Sequence, residues 1–137
     1  MTLPSGLPEV IHDAEDLARF LTQSGHYSGG RVRPGAFLPS PKDRATSVSR
    51  HGREPVEALR QIGLAAAGDR SLHGAAIIKA HAVRDAGLDV DADEPPDRHA
   101  LIRGWPWFDN DPQLQRAQHK ERALQLAATS DVILFTT

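Results

Sequence analysis

Residues 88–106, LDVDADEPPDRHALIRGWP, contain the pattern that decides the fold. From Leu88 to Ala92, apolar and acidic residues alternate strictly, which predicts a half-buried β-strand. Pro95 and Pro96 then predict a turn, because proline cannot donate a ladder hydrogen bond. The segment 99–103, HALIR, predicts the returning strand, and Gly104 ends it. The stretch therefore predicts two consecutive strands joined by a turn.

Outward from this stretch, the sequence predicts three helices. Asp13 as N-cap, with apolar residues at helical spacing after it, predicts a helix at about 13–24. Pro55 precedes a second periodic segment, at about 55–67. Asp111 and Pro112 give a third helix start, and that helix continues to about residue 129. One face of this predicted helix consists of Leu114, Ala117, Glu121, Leu124 and Ala128, and it is apolar except for Glu121.

Further short strands are expected at 45–50, 75–78 and 132–135, with an edge strand or extended segment over 31–38. The fold class that follows is α+β. We expect a small mixed or antiparallel sheet of about five short strands with about three helices. The length of 137 residues suits a single domain, 1–137, in which residues 1–11 form an extended N-terminal arm.

Composition excludes several classes of protein. The chain has no cysteine, so a disulfide framework, a thiolate zinc site and a cysteine nucleophile are excluded. It has no apolar run of the ~20 residues that cross a bilayer. Residues 1–11 have neither the basic nor the apolar part of a secretory signal, so we expect a cytoplasmic protein. A net charge of −2 argues against nucleic acid as the partner.

Charge is arranged in two blocks. The stretch from Arg31 to Arg53 contains six basic residues and one acidic residue. The stretch from Asp85 to Asp97 contains six acidic residues and no basic one. Arginine forks match phosphate and carboxylate geometry, so the first block predicts an anion site. The candidate residues are Arg31, Arg33 and Arg50. The alternative is that the two blocks pair with each other or are simply solvated.

The chain has seven histidines, and none has the H-x-x-x-H or H-E-x-x-H spacing of a metal site. We expect neither a metal nor a cofactor. His73 and His99 stand at the starts of predicted strands and are the candidate catalytic residues. If those strands pair, the two histidines converge with Arg33 and Arg50 and could do acid–base work on a phosphoester. The alternative for each is a hydrogen-bonded histidine without chemistry.

Two other polar patterns carry less weight. Asp89, Asp91 and Asp93 alternate along a strand and suit either magnesium or a charged, solvent-facing strand edge. They do not match the EF-hand loop, because Glu94 stands where the turn glycine is needed. Ser47 and Ser49 alternate in another strand, but no G-x-S-x-G elbow marks either as a nucleophile.

Three aromatic residues, Trp105, Trp107 and Phe108, stand close together after the second strand of the opening stretch. They predict either closure of the core over the sheet or an exposed anchor for a protein partner. As partner-binding candidates they would form an exposed apolar patch.

Several elements together resemble a group of small bacterial proteins of unknown function. The elements are RVRPGAFLP (31–39), SVSR (47–50), His73-Gly74 and PPDRHALIRGWP (95–106). The resemblance spans most of the chain. It implies that these elements belong to one recurring pattern, and it implies no activity.

Two functions are suggested by the sequence, and a third, a toxin or antitoxin partner, is neither supported nor excluded. The first is a non-enzymatic binding or regulatory module that acts through protein contacts, suggested by the aromatic turn and the missing catalytic motifs. The second is a small enzyme or sensor of a phosphorylated ligand, such as a nucleotide or an RNA end, that uses an Arg/His cluster. The sequence does not decide whether the protein is an enzyme.

Overall fold

The computed structural model describes residues 2–51 and 53–135 and has an α+β fold, as the sequence predicts. The strands are β1 Asp16–Leu21, β2 Tyr27–Ser28, β3 Arg31–Val32, β4 Thr46–Ser49, β5 Gly74–Lys79, β6 Asp89–Ala92, β7 His99–Arg103 and β8 Asp131–Leu134. The helices are α1 Val56–Ala67, α2 Ala80–Asp85 and α3 Pro112–Ala128, with 3₁₀ turns at Ser24–His26 and Pro34–Phe37. The eight strands of the described chain exceed the five that we expect from the sequence.

Six strands form one antiparallel sheet in the order β6-β7-β4-β1-β5-β8, and β2 and β3 form a separate ribbon. The strands of residues 88–106 pair as the opening stretch predicts, with Val90 opposite Ile102. The pairing between β1 and β4 is much shorter than the pairing of β6 with β7, because β1 and β4 share the single register pair Ala18 and Ser49. β1 and β4 therefore pair over less of their length than the other neighbouring strands of this sheet.

The main core lies on one face of the sheet. Leu17, Leu21, Val48, Ile78 and Ile102 point to this side and are at most 3% exposed. They pack against α2, α3 and the second 3₁₀ turn, whose Phe37 is fully buried. Burial of apolar side chains on this face is the main stabilising contribution to the fold.

The opposite face of the sheet is covered only in part. Helix α1 packs on β1 and β5, where Leu59 meets Ala18 and Ala75 in a small second core. Gly63 allows a close approach there, because a Cβ at this position would overlap the ring of Phe20. The half of this face formed by β4 and β7 carries Ser49 and His99 and borders a groove beside α1.

The predicted helix at 13–24 is wrong, because this segment forms strand β1 at the centre of the sheet. Leu17 and Leu21 are buried on one face of the sheet and Ala18 on the other. A strand buried on both faces has apolar residues at most positions, and such a run also satisfies helical spacing. The pairing of β1 with β5 over six residues favours the strand over the helix.

The predicted face of the third helix is also wrong, although the bounds of α3 agree with the prediction. Leu114 and Leu124 are 42% and 56% exposed. The buried side of α3 instead consists of His119, Ala123, Leu126 and Ala127. His119 donates its Nε2 hydrogen to the carbonyl of Pro106 and packs edge-on against Trp105, so a polar residue occupies a core position.

Residues 2–8 form a tight turn closed by a bridge between Thr2 and Pro8, within the arm expected to be extended. The carbonyl of Pro8 accepts a hydrogen bond from Arg50, which ties this segment to the sheet. None of the helices in the described ranges is long and apolar enough to span a bilayer.

Candidate functional site

A groove lies on the α1 side of the sheet, between the C-terminal half of α1 and strands β4 and β7. We call it the His99 groove, and its main lining residues are Arg19, Phe20, Ser47, Ser49, Ala66, Arg70, Pro96 and His99. It has a volume of about 240 Å³. A cavity of about 420 Å³ adjoins it and shares Phe20, Ser49, Ala66, Pro96 and His99. Together they offer the space of a small-molecule site.

Arg19 of β1 lines the groove next to β4. Its Nε donates to the carbonyl of Ala36 at 2.8 Å and its Nη1 donates to the carbonyl of Ser47 at 3.0 Å. No carboxylate pairs with Arg19 within residues 2–51 and 53–135, and its Nη2 has no partner there. Burial, with a smaller contribution from the nearby charge of Arg70, lowers the pKa of Arg19 to about 10. The guanidinium is therefore charged at neutral pH and lacks a counter-ion.

Arg70 approaches the same groove from the end of α1. Its Nε and Nη2 donate to the carbonyls of Ala67 and Ala66, both at 3.1 Å, which is the usual role of a cation at a helix C-terminus. Its Nη1 has no partner among the described residues, and no described carboxylate pairs with it. The groove thus contains two guanidinium groups, and their like charges repel each other.

His99 lies at the opposite side of the groove and is held by Asp93. The imidazole Nδ1 lies 3.1 Å from both the carbonyl oxygen and a carboxylate oxygen of Asp93. Both oxygens only accept hydrogen bonds, so Nδ1 carries the hydrogen. In the neutral ring Nε2 is then left as the acceptor, which is the arrangement of a histidine that takes up a proton.

The structure does not bring the predicted anion-binding arginines together. Arg31 is exposed on strand β3. Arg33 lines a separate cavity of about 500 Å³ beside Arg116 and Lys120. Arg50 has a fully buried side chain, and its Nε and Nη2 donate to the two carboxylate oxygens of Glu15, each at 2.8 Å.

The two candidate histidines do not converge. His73 precedes β5 and His99 opens β7, and these strands do not pair, because β1 and β4 lie between them. Three strand spacings and four residues along the sheet separate the two positions by about 19 Å. His73 instead contacts the hydroxyl of Tyr27 through Nδ1, at 2.9 Å. Of the two, His99 alone lines the groove.

No ion pair joins the two charged blocks in the described ranges. Arg50 pairs with Glu15, Arg53 with Asp16 and Arg44 with Asp109. Within the acidic block, Asp93 contacts His99 and Arg103. Strand β6, which carries Asp89 and Asp91, is an edge of the sheet, in agreement with the charged-edge interpretation.

The aromatic turn is mostly packed against the protein. Trp105 is 4% exposed and donates its Nε1 hydrogen to the carbonyl of Ile102. Trp107 packs edge-on against His119, and the guanidinium of Arg44 lies 4.8 Å from its ring centre. Phe108 is half-buried. These contacts match closure over the core, the first of the two alternatives for this turn.

Sequence reasoning missed Arg19 and Arg70 and gave little weight to Ser49 and Asp93. A signal for Arg19 does exist, because it is the one charged residue within the run Leu17–Leu21. A charge in the middle of a buried strand needs a partner, and that need points to a site. The places of Arg70, Ser49 and Asp93 at the site depend on the strand register and on the residue at which α1 ends. The sequence shows neither.

Comparisons of the chain with protein-family models, with curated proteins and with solved structures find no match. The argument for function therefore depends on the geometry of the groove. The resemblance to a group of small bacterial proteins stays a prediction.

Proposed function

We propose that this protein binds a small phosphorylated ligand, such as a nucleoside monophosphate, in the His99 groove. The observation that carries the proposal is the pair of guanidinium groups, Arg19 and Arg70, that share one groove without a carboxylate from the described residues. A partly buried cation without a counter-ion is costly, and a bound anion would remove that cost. Arginine is well suited to phosphate because its planar fork donates two parallel hydrogen bonds.

The rest of the groove supports an organic ligand rather than a bare ion. Ser47 and Ser49 supply hydroxyl groups beside the arginines, and His99 supplies a further polar group. Phe20, Ala66 and Pro96 supply an apolar wall that continues into the adjoining cavity. A mainly apolar cleft with a few polar groups is the usual composition of a small-molecule site.

A function through protein contacts at the aromatic turn has less support. Its anchor, Trp105, lies in the core at 4% exposure, and Trp107 is occupied by His119 and Arg44. An interface hot spot needs an aromatic side chain that a partner can reach.

The test is calorimetric titration with adenosine 5′-monophosphate, with adenosine as the ligand that lacks the phosphate. We expect binding of the monophosphate and weaker or no binding of adenosine. Arg70→Gln should weaken binding by about ten- to a hundredfold, because one charge-assisted hydrogen bond is worth about 1.5–3 kcal/mol.

Arg19→Lys keeps a charge in the groove and Arg19→Gln removes it, so the second variant should bind more weakly than the first. Arg31→Gln is the matched control, an exposed arginine outside the groove, and should bind as the unaltered protein does. Equal affinity in Arg31→Gln and Arg70→Gln would overturn the proposal, as would equal affinity for the nucleotide and adenosine.

A further inference from the structure

Ser49 and His99 line the His99 groove, and Asp93, the residue after β6, lies in the same row across the sheet. Ser49 of β4 is the direct register partner of His99 in β7. On the other side of β7, Ala92 of β6 pairs with Ala100, so Asp93 is level with His99. The imidazole of His99 therefore has a carboxylate on one side and a hydroxyl on the other.

The backbone pairing brings the side chains of Ser49 and His99 close together. The amide of Arg50 donates to the carbonyl of Arg98 at 2.8 Å, so the ladder hydrogen bond lies at that neighbouring pair. Ser49 and His99 are then a non-hydrogen-bonded pair, in which Cβ atoms are about 4.5–5.5 Å apart. The Ser49 hydroxyl makes no hydrogen bond to any described residue, His99 included, so its proton is uncommitted and proton transfer requires Oγ and His99 Nε2 to come into hydrogen-bond reach when substrate binds.

We propose that Ser49 is a nucleophile, with His99 as its general base and Asp93 as a positioning residue, for hydrolysis of a phosphate ester. The proposal rests on the proposed function for the binding of its substrate. Asp93 keeps the hydrogen on Nδ1 of His99 and leaves Nε2 free to accept the proton of the Ser49 hydroxyl.

Water is the only reactant that the hydrolysis needs besides the phosphate ester. The proton of Ser49 Oγ passes to His99 Nε2 while Oγ bonds to phosphorus and the ester P–O bond breaks. The leaving oxygen takes that proton and departs as an alcohol. Water then gives a proton to Nε2 and its oxygen attacks phosphorus. The Oγ–P bond breaks, Oγ recovers the proton and inorganic phosphate is released.

Arg19 and Arg70 would stabilise these steps electrostatically. Their guanidinium groups line the same groove as Ser49. Donors fixed in advance near the phosphoryl oxygens stabilise the charge of the transition state without further rearrangement.

The test uses the intact protein and diisopropyl fluorophosphate, which transfers a phosphoryl group to activated serines. Peptide mass spectrometry should find the adduct on Ser49, and Ser49→Ala should lose it. Absence of a Ser49 adduct in the unaltered protein would overturn the proposal, whatever the variants do.

The variants separate chemistry from structure. His99→Gln should lower the maximal labelling rate by about 10²-fold, which is the usual contribution of a general base. Asp93→Asn should lower it by about tenfold or more while the reagent concentration for half-maximal rate stays unchanged. Asp91→Asn, on the same face of β6, is the matched control and should label at the original rate. Equal rates in Asp91→Asn and Asp93→Asn would contradict the role of Asp93.

Two further measurements separate this proposal from the proposed function. The protein should release p-nitrophenol from p-nitrophenyl phosphate, and Ser49→Ala should not. A Ser49 adduct without release of p-nitrophenol would overturn phosphate esters as the substrate class. Inorganic phosphate should protect Ser49 from labelling. Labelling without protection would contradict phosphate binding in the groove but leave the nucleophile in place.

Discussion

Arg50 and Glu15 form an ion pair that joins β4 to the segment before β1. The Arg50 side chain is fully buried, and the Glu15 side chain is 24% exposed. Arg50→Ala leaves Glu15 without its partner, and we expect a loss of about 3 kcal/mol in the free energy of unfolding, measured by urea denaturation. Arg53→Ala removes a pair whose arginine is 73% exposed and should cost at most about 1 kcal/mol. Equal losses would contradict the structural role of Arg50.

The same pair makes stability depend on pH. Burial raises the pKa of the Glu15 carboxyl, but hydrogen bonds from Arg50 and from the His12 amide lower it more, so the pKa lies below its ordinary value. As the pH falls, the unfolded chain therefore takes up this proton before the folded chain does, and the free energy of unfolding decreases.

We expect this decrease to begin near pH 4.3, the ordinary pKa of glutamate, and to continue downward through the lower pKa of the folded state. Urea unfolding of Glu15→Gln should show a smaller decrease over this range than the unaltered protein. Glu57→Gln, on an exposed position of α1, is the control and should keep the original slope. A slope in Glu15→Gln as steep as the original would contradict this account.

Single residues were partly predictable from the sequence. His99 was identified because it opens a strand after a turn, and the structure places it in the groove. The charge pattern also indicates Arg50 as an anion-binding residue, but its donors are occupied by Glu15 and Pro8. Which arginine is paired depends on contacts distant in sequence, and a charge pattern along the chain does not contain them.

At the scale of elements, β5 depends on a glycine at its first position. Gly74 lies opposite Leu134 of β8, and a Cβ there would overlap the carbonyl oxygen of Ile133. Gly74→Ala should destabilise the protein by about 2–4 kcal/mol, because the backbone of β8 must move. Gly30→Ala, where a Cβ meets nothing within 4 Å, is the control and should change stability by no more than about 0.5 kcal/mol. Thermal and urea unfolding of the two variants decide the matter, and equal stability would contradict the tight β5–β8 pairing.

The elements with strong local signals were predicted well, and those fixed by tertiary contacts were not. Asp111 accepts a hydrogen bond from the Leu114 amide as the N-cap of α3, a local interaction that the sequence shows directly. Strand β1 was predicted as a helix because its two buried faces leave no alternation to see. The buried side of α3 was misassigned because His119 is a core residue through its bond to Pro106, and sequence patterns treat histidine as polar.

At the scale of the whole molecule, the groove exists because α1 packs mainly on β1 and β5 on its side of the sheet. The other half of that face leaves Ser49 and His99 beside a cavity, and Arg19 of β1 donates to the carbonyl of Ser47 in β4. The α+β class followed from the order of elements along the sequence. The strand order did not, because β4 pairs with β7 and β1 across long separations in sequence.

The measurement that tests phosphate binding in the His99 groove most directly is an NMR titration of backbone amides with adenosine 5′-monophosphate. We predict saturable shifts at Phe20, Ser49 and His99, which line the groove, and none at Arg31 and Val32, which do not line it. Shifts confined to Arg33, Arg116 and Lys120, or no shifts at ligand concentrations that saturate a millimolar site, would contradict the account.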